Sequence, residues 1–367
     1  MYSLARFIRT APEAARLTKW VLNMKRMMKA AALVMTGALA LSACASADGG
    51  SDSDGDKTIN IVGFAVPEAG NKAAAVEFNK TDAGKGVKFS GAYGPSGDQS
   101  RKVVDTKGKD TDYVVFSLEP DMTRLVDAGL VDESWNQGAN KGIVSSSVAV
   151  IATEKGNPLG IKDWSDLTRP DVKIVTPDPA SSGSAKWNVL ALYTYAKSTG
   201  ATEAEADAFL KKVFANVSTW AASGREATEA FKKGVGNVLL TYENEAILAK
   251  QNGEDLDYVV PDHTFKIENP GAVLKDATPV ATDWLDFILS DEGQLAFVSK
   301  GFRPVTDVDI SGVEVQGVND PADPFPAVKD LSTAADLGGW SAINKEWFGK
   351  DGEKLRFDKL YAEATKQ

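Results

Sequence analysis

Histidine and cysteine are almost missing, with one of each in 367 residues. That excludes a disulfide framework, Cys/His zinc sites and, unless His263 serves, a histidine-based catalytic triad. Basic charge is also scarce. The 41 Lys and Arg face 51 Asp and Glu, giving a net charge of −10 and a pI near 4.9. A nucleic-acid binder would normally carry a basic face, so that class is set aside. What is present is globular: 43% hydrophobic and 25% charged residues, over a length that allows two domains.

The N-terminal region reads as an export signal. Residues 24–44 combine a short basic region, an apolar run over 30–41, and Leu41-Ser42-Ala43-Cys44. The run is too short to span a bilayer and ends in small residues that a signal peptidase accepts. Leu-Ser-Ala-Cys resembles the lipobox of bacterial lipoproteins, which implies lipidation of Cys44. Residues 1–43 are therefore expected to be removed, and Met24 is a candidate true start. Residues 45–57 are rich in Ser, Gly and Asp and are expected to form a flexible tether. Their Asp52-Ser53-Asp54-Gly55-Asp56 run lacks the distal Glu of a calcium loop. Residues 1–43 hold seven basic residues and one acidic, Glu13, so the exported chain keeps 34 basic against 50 acidic residues, a charge of −16.

From Thr58 onward, β-type runs alternate with helical patterns. Strands are expected over 59–66, 87–93, 112–118, 146–153, 173–176, 217–220, 237–242 and 256–260. Ala206, Phe209, Leu210, Val213 and Phe214 follow helical spacing behind a Thr202/Glu205 capping box, and Trp284, Phe287 and Ile288 share another helix face. This pattern predicts a mainly parallel α/β sheet, with helices on both faces, in two lobes.

Three loops place Gly and Ser before a helix: residues 94–99, 178–187 and 222–228. Unpaired N–H groups at helix starts attract anions, and glycine allows close approach to the backbone. Three such ends could cradle one oxyanion, although serine is also an ordinary N-cap. The spacing matches neither a P-loop nor a Rossmann fingerprint, and no Gly-x-Ser-x-Gly elbow or general base is visible.

The motifs in order carry a family resemblance: Tyr93-Gly94-Pro95-Ser96-Gly97-Asp98-Gln99, Ser182-Gly183-Ser184-Ala185-Lys186-Trp187-Asn188, Ser223-Gly224-Arg225-Glu226, Thr241-Tyr242-Glu243-Asn244-Glu245, Gly301-Phe302-Arg303-Pro304 and Gly338-Gly339-Trp340. Together they resemble the sulfate-binding protein family of bacterial ABC importers, in its actinobacterial lipoprotein branch. The resemblance covers residues 58 to about 359.

It implies a two-lobed periplasmic-binding-protein clamp of the type with two hinge crossings, with the ligand in the interlobe cleft. Lobe 1 would comprise residues 58–149 and 266–340, and lobe 2 residues 150–265, with hinges near 150–157 and 262–269. Residues 341–367 would form a C-terminal helical extension. Ser96, Ser182, Gly183, Ser184, Gly224 and Tyr242 fall on the family's sulfate-binding positions. Tyr242 stands where many relatives carry tryptophan, and a phenol can accept as well as donate. The family's early aspartate falls near Val66 and is not preserved.

Arg225 and Lys186 are expected to support the site from behind, because backbone dipoles hold an anion without a tight ion pair. The expected partners are sulfate and the permease and ATPase subunits of an importer. The expected state is a monomer without cofactor, metal or catalytic residues, held at the outer face of the cytoplasmic membrane by the lipid on Cys44 alone. Thiosulfate, molybdate and phosphate carriers are the close alternatives.

Overall fold

The computed structural model describes residues 57–349 and 355–365. The signal segment, Cys44 and the Asp-rich run at 52–56 lie outside the described residues. Within the compact unit of residues 54–367, the strands are β1 (Thr58–Phe64), β2 (Lys88–Gly94), β3 (Tyr113–Val115), β4 (Ile143–Glu154), β5 (Ile174–Pro177), β6 (Val217–Ala221), β7 (Val238–Tyr242), β8 (Leu256–Val259), β9 (His263–Val273) and β10 (Asp330–Ser332). The helices are α1 (Glu68–Phe78), α2 (Ser96–Asp105), α3 (Glu119–Asp127), α4 (Gly183–Ser198), α5 (Glu203–Ala215), α6 (Gly224–Lys232), α7 (Glu243–Gln251), α8 (Val280–Ile288), α9 (Asp291–Val298), α10 (Gly339–Ile343) and α11 (Arg356–Ala364).

The strands run in the order β2-β1-β3-β9-β4-β7-β5-β6, with β8 added on β4 and β10 on β9. All eight expected strands are present. β5 and β7 are buried at every residue, as apolar strands covered on both faces must be. The expectation of a mainly parallel sheet needs correction. β1 pairs in parallel with β2 and β3, and β5 with β6 and β7, but β4 is antiparallel to β7, β8 and β9, and β3 is antiparallel to β9. The sheet is mixed because β4 and β9 run through its middle in opposite directions.

These two long strands join the lobes. On β4, residues as far as Val148 pair with β9, and Ala149 onward pairs with β7. On β9, Gly271 to Val273 pair with β3, and Lys266 to Pro270 with β4. One lobe is thus built on β1–β3 and the other on β5–β8, giving the two-lobed clamp of periplasmic binding proteins.

Local chemistry fixes the helices that matter. Thr202 caps α5 reciprocally with Glu205: the Thr202 N–H donates to the carboxylate at 2.8 Å, and the Glu205 N–H donates to the Thr202 hydroxyl at 3.3 Å. Ala206, Leu210, Val213 and Phe214 face the core, as their spacing predicts. After α10, the segment returns to α5. The guanidinium of Arg356 stacks 4.3 Å from the Trp347 ring centroid and 4.7 Å from that of Tyr193, and it bonds Asp207 and Glu203. Phe357 packs edge-on against Phe214 and Trp220.

Candidate anion-binding site

Three helix starts converge between the lobes, and three different local chemistries open them. α2 begins at Ser96 after Pro95, which has no N–H to leave unpaired. α4 begins at Gly183 after Ser182, whose hydroxyl makes no capping bond. α6 begins at Gly224 after Ser223, whose hydroxyl does cap, accepting the Glu226 N–H at 3.1 Å. Ser223 is therefore an ordinary N-cap. Ser182 keeps the position of a cap without its bond, which leaves its buried hydroxyl available.

Close packing explains the glycine at the second start. A Cβ on Gly183 would fall 2.6 Å from the Ser117 Cβ and 2.8 Å from its Oγ, so no side chain fits there. At the third start, a Cβ on Gly224 would sit 3.0 Å from Ser184 Oγ and 3.6 Å from Val66 Cγ2. Val66 thus meets the site with a methyl group where the resemblance implies an aspartate.

Ser117, which sequence reasoning missed, bridges the lobes beside these helix starts. It is fully buried just after β3. Its backbone N–H donates to Ser96 Oγ at 2.9 Å, and its hydroxyl lies 2.9 Å from the Tyr242 hydroxyl. Trp187 on α4 donates its indole N–H to both the carbonyl and the hydroxyl of Ser117, each at 3.1 Å. Asn269 on β9 donates to the same carbonyl at 3.2 Å. Burial pushes the Tyr242 phenol well above its ordinary pKa, an effect that bonds to Ser117, Ser184 and Asn269 offset in part. The phenol therefore keeps its proton at physiological pH.

Asp121 was missed as well. Ser96 donates its hydroxyl to Asp121 Oδ2 at 2.6 Å, and Arg124 pairs with the other carboxylate oxygen at 3.0 Å. The proton of Ser96 is thus committed to a buried carboxylate on α3, and the hydroxyl donates to an anion only by turning away from it.

Arg225 grips Glu245 with two bonds of 2.9 Å, and that carboxylate, against the opposing effect of burial, raises the guanidinium pKa further. One nitrogen of Arg225 also reaches the Ala65 carbonyl at 3.5 Å. Glu243 is held likewise by Arg303, at 2.6 and 3.0 Å. Both buried glutamates lie in the first turn of α7, directly after Tyr242. Paired in this way, neither presents an uncompensated charge beside the three helix starts. Lys186 lies 5.0 Å from the Phe348 ring centroid, toward the C-terminal segment.

Ser96, Gly183 and Tyr242 meet at Ser117, and Gly224 lies against Ser184, while Ser182 joins them as the chain neighbour of Gly183. A separate cavity of about 790 Å³, lined by residues such as Glu68, Lys72, Lys300 and Glu314, shares only Arg225 with the expected set. The lone histidine pairs with Asp330 at 2.7 Å and lies 3.4 Å from Ser332 Oγ. These are the residue types of a catalytic triad. Ser332, however, sits within β10 in parallel register with β9 and not on a nucleophile elbow, while the Asp330 side chain is 60% exposed. The pair ties β10 to β9.

Comparison with known proteins places this arrangement. Residues 61–303 match the family described as bacterial extracellular solute-binding protein. The sulfate-binding protein of Synechococcus elongatus is 38% identical over 94% of this chain and 97% of its own. The thiosulfate-binding protein of Pseudomonas aeruginosa is 30% identical over 77% of this chain and 85% of its own. The solved structure of the sulfate-binding protein SubI from Mycobacterium tuberculosis H37Rv is 42% identical, with a TM-score of 0.74, over 80% of this chain and all of its own. These relatives bind solutes and are not enzymes. The chain belongs to the sulfate-binding protein family of bacterial extracellular solute-binding proteins.

Proposed function

We propose that this protein captures sulfate outside the cytoplasm and delivers it to an ABC importer. The observation that carries the reading is the convergence of three helix starts on a buried, neutral set of donors. The backbone N–H groups of Gly183, Ser184 and Gly224, with the hydroxyls of Ser182 and Tyr242, supply hydrogen bonds and no formal charge. Ser96 joins them by turning from Asp121. Sulfate is fully ionised at neutral pH and accepts from every one of these groups.

Monohydrogen phosphate carries a P–OH that needs an acceptor, and no ligand position holds Asp or Glu. The mismatch buries unsatisfied polar groups at roughly 1–3 kcal/mol each, so phosphate binds about a hundredfold or more weaker. Arg225 and Lys186 act from outside the ligand shell, Arg225 through Glu245.

The lobes divide as the resemblance implies, at 58–149 with 266–340 and at 150–265. Closure bends β4 and β9 near 150–157 and 262–269, and the described residues 341–349 and 355–365 of the C-terminal helical extension pack on the second lobe. The protein acts as a monomer held to the membrane by lipid on Cys44. Titration calorimetry of the purified protein against sulfate, thiosulfate, molybdate and phosphate tests the assignment, with sulfate expected to bind tightest. The existence of a thiosulfate-binding relative favours thiosulfate as the second reading. Tighter binding of thiosulfate than sulfate would establish it.

A further inference from the structure

Tyr242 raises a question that the donor set does not answer, because a phenol oxygen can accept the proton of a hydrogen phosphate as readily as its O–H can donate to sulfate. We infer that Trp187 and Ser117 form a one-way hydrogen-bond relay that holds Tyr242 as a donor and so sets selectivity for unprotonated oxyanions. The inference rests on the sulfate-binding reading of the site.

The direction follows from proton counting. The indole N–H of Trp187 can only donate, and it engages Ser117 Oγ at 3.1 Å. With an oxygen lone pair occupied, Ser117 has its own hydrogen to place. The hydroxyl partner it meets is Tyr242, at 2.9 Å. If Ser117 donates, every group is satisfied and the Tyr242 oxygen is filled. Its hydrogen is then left for the ligand.

In the reverse direction, Ser117 would accept from both Trp187 and Tyr242 and keep a buried O–H without an acceptor, at 0% exposure. The surroundings act the same way. Ser184 and Asn269 side chains favour the phenol's charged oxygen against burial, and the Asn269 amide nitrogen donates to the Ser117 carbonyl at 3.2 Å. With Ser117 donating to it, the phenol oxygen is engaged and is not offered to a P–OH. Trp187 is held in place by Trp340, edge-on with ring centroids 4.8 Å apart, and by Phe265 at 5.7 Å.

Trp187 and Ser117 are positioning residues, and the test reads a ratio that a merely structural role would not move. Sulfate and phosphate are titrated calorimetrically at pH 8 into the full-length protein and its Trp187→Phe and Ser117→Ala variants. Trp187→Phe keeps an aromatic ring, smaller than the indole, and removes the N–H. Ser117→Ala, a smaller change, guards against misfolding of the first. Both are expected to strengthen phosphate binding relative to sulfate, narrowing the gap by at least about tenfold. A variant that loses affinity for both anions equally, or a ratio unchanged within about threefold while the wild type discriminates, overturns the relay and leaves the function standing. A wild type that does not bind sulfate overturns the underlying reading and the relay with it.

Discussion

Arg225 and Glu245 are joined by two parallel hydrogen bonds of 2.9 Å, from a partly exposed guanidinium to a carboxylate that is 2% exposed. The arginine beside the Gly224 helix start is thereby spent on a protein carboxylate. In the proposed site, a dianion in the cleft would be left to backbone and hydroxyl donors, without a competing ion pair.

Removing the arginine should therefore damage stability more than affinity. Breaking a buried pair strands the remaining charge, at about 3–5 kcal/mol, and the partial exposure of Arg225 lowers the expected loss to roughly 2–3 kcal/mol. Urea denaturation of Arg225→Met should show that loss, and adding Glu245→Gln should recover most of it. Sulfate affinity that fell a hundredfold or more in Arg225→Lys, with stability intact, would instead place the guanidinium on the ligand.

Three neighbouring serines should separate cleanly. Ser182→Ala removes a donor to a desolvated anion and should weaken sulfate binding roughly ten- to a hundredfold. Ser181 donates its hydroxyl to the Ala222 carbonyl at 2.9 Å, so Ser181→Ala should cost much less affinity. Ser223→Ala removes a true N-cap and should cost about 1 kcal/mol of stability with little change in binding. Equal losses of affinity for Ser181 and Ser182 would refute the assigned register of the turn.

Asp112 makes the acid limb of the stability curve specific. Burial alone would raise its carboxyl, but the backbone N–H groups of Thr278 and Asn60 and both their side chains donate to it and hold it below the ordinary carboxylate range. Because its pKa is depressed on folding, its contribution is complete above the unfolded value near 4 and is lost as pH falls through the folded value. Asp112→Asn should cost about 1–3 kcal/mol at pH 7, and the gap from wild type should close toward pH 3. Denaturation midpoints measured from pH 7 to pH 3 would show this, and a constant gap would contradict it.

The anchor has its own test. Wild-type protein should partition with membranes, and Cys44→Ser should be released or left unprocessed. One acyl chain binds only marginally, so stable anchoring needs a multiply acylated cysteine. Equal membrane retention of the variant would refute lipidation at Cys44.

Much of this was legible in the sequence, and what escaped has a common cause. Contiguous β-branched and apolar runs announced eight strands, and the Thr202/Glu205 box announced α5. β9 did not announce itself: its sequence His263-Thr264-Phe265-Lys266-Ile267-Glu268-Asn269-Pro270-Gly271-Ala272-Val273 mixes charge with Pro and Gly, and it becomes a strand through pairing on both sides. Missing it concealed the antiparallel centre of the sheet.

The helix-start serines and glycines showed as motifs because a turn is written locally. Ser117 and Asp121 did not, since neither stands in a recognisable turn motif. Ser117 acquires its role from Tyr242, 125 residues away, and Asp121 from Ser96, 25 residues away. Only Trp187 was visible, as part of the α4 motif, and its role as an indole donor was not.

A crystal structure of the protein with sulfate bound tests the central claim most directly. The account predicts one sulfate between the lobes, its oxygens about 2.7–3.1 Å from the backbone nitrogens of Gly183, Ser184 and Gly224 and the hydroxyls of Ser96, Ser182 and Tyr242, with Arg225 still paired to Glu245. A sulfate held by the Arg225 guanidinium, or seated in the cavity beside Lys72 and Lys300, would contradict it.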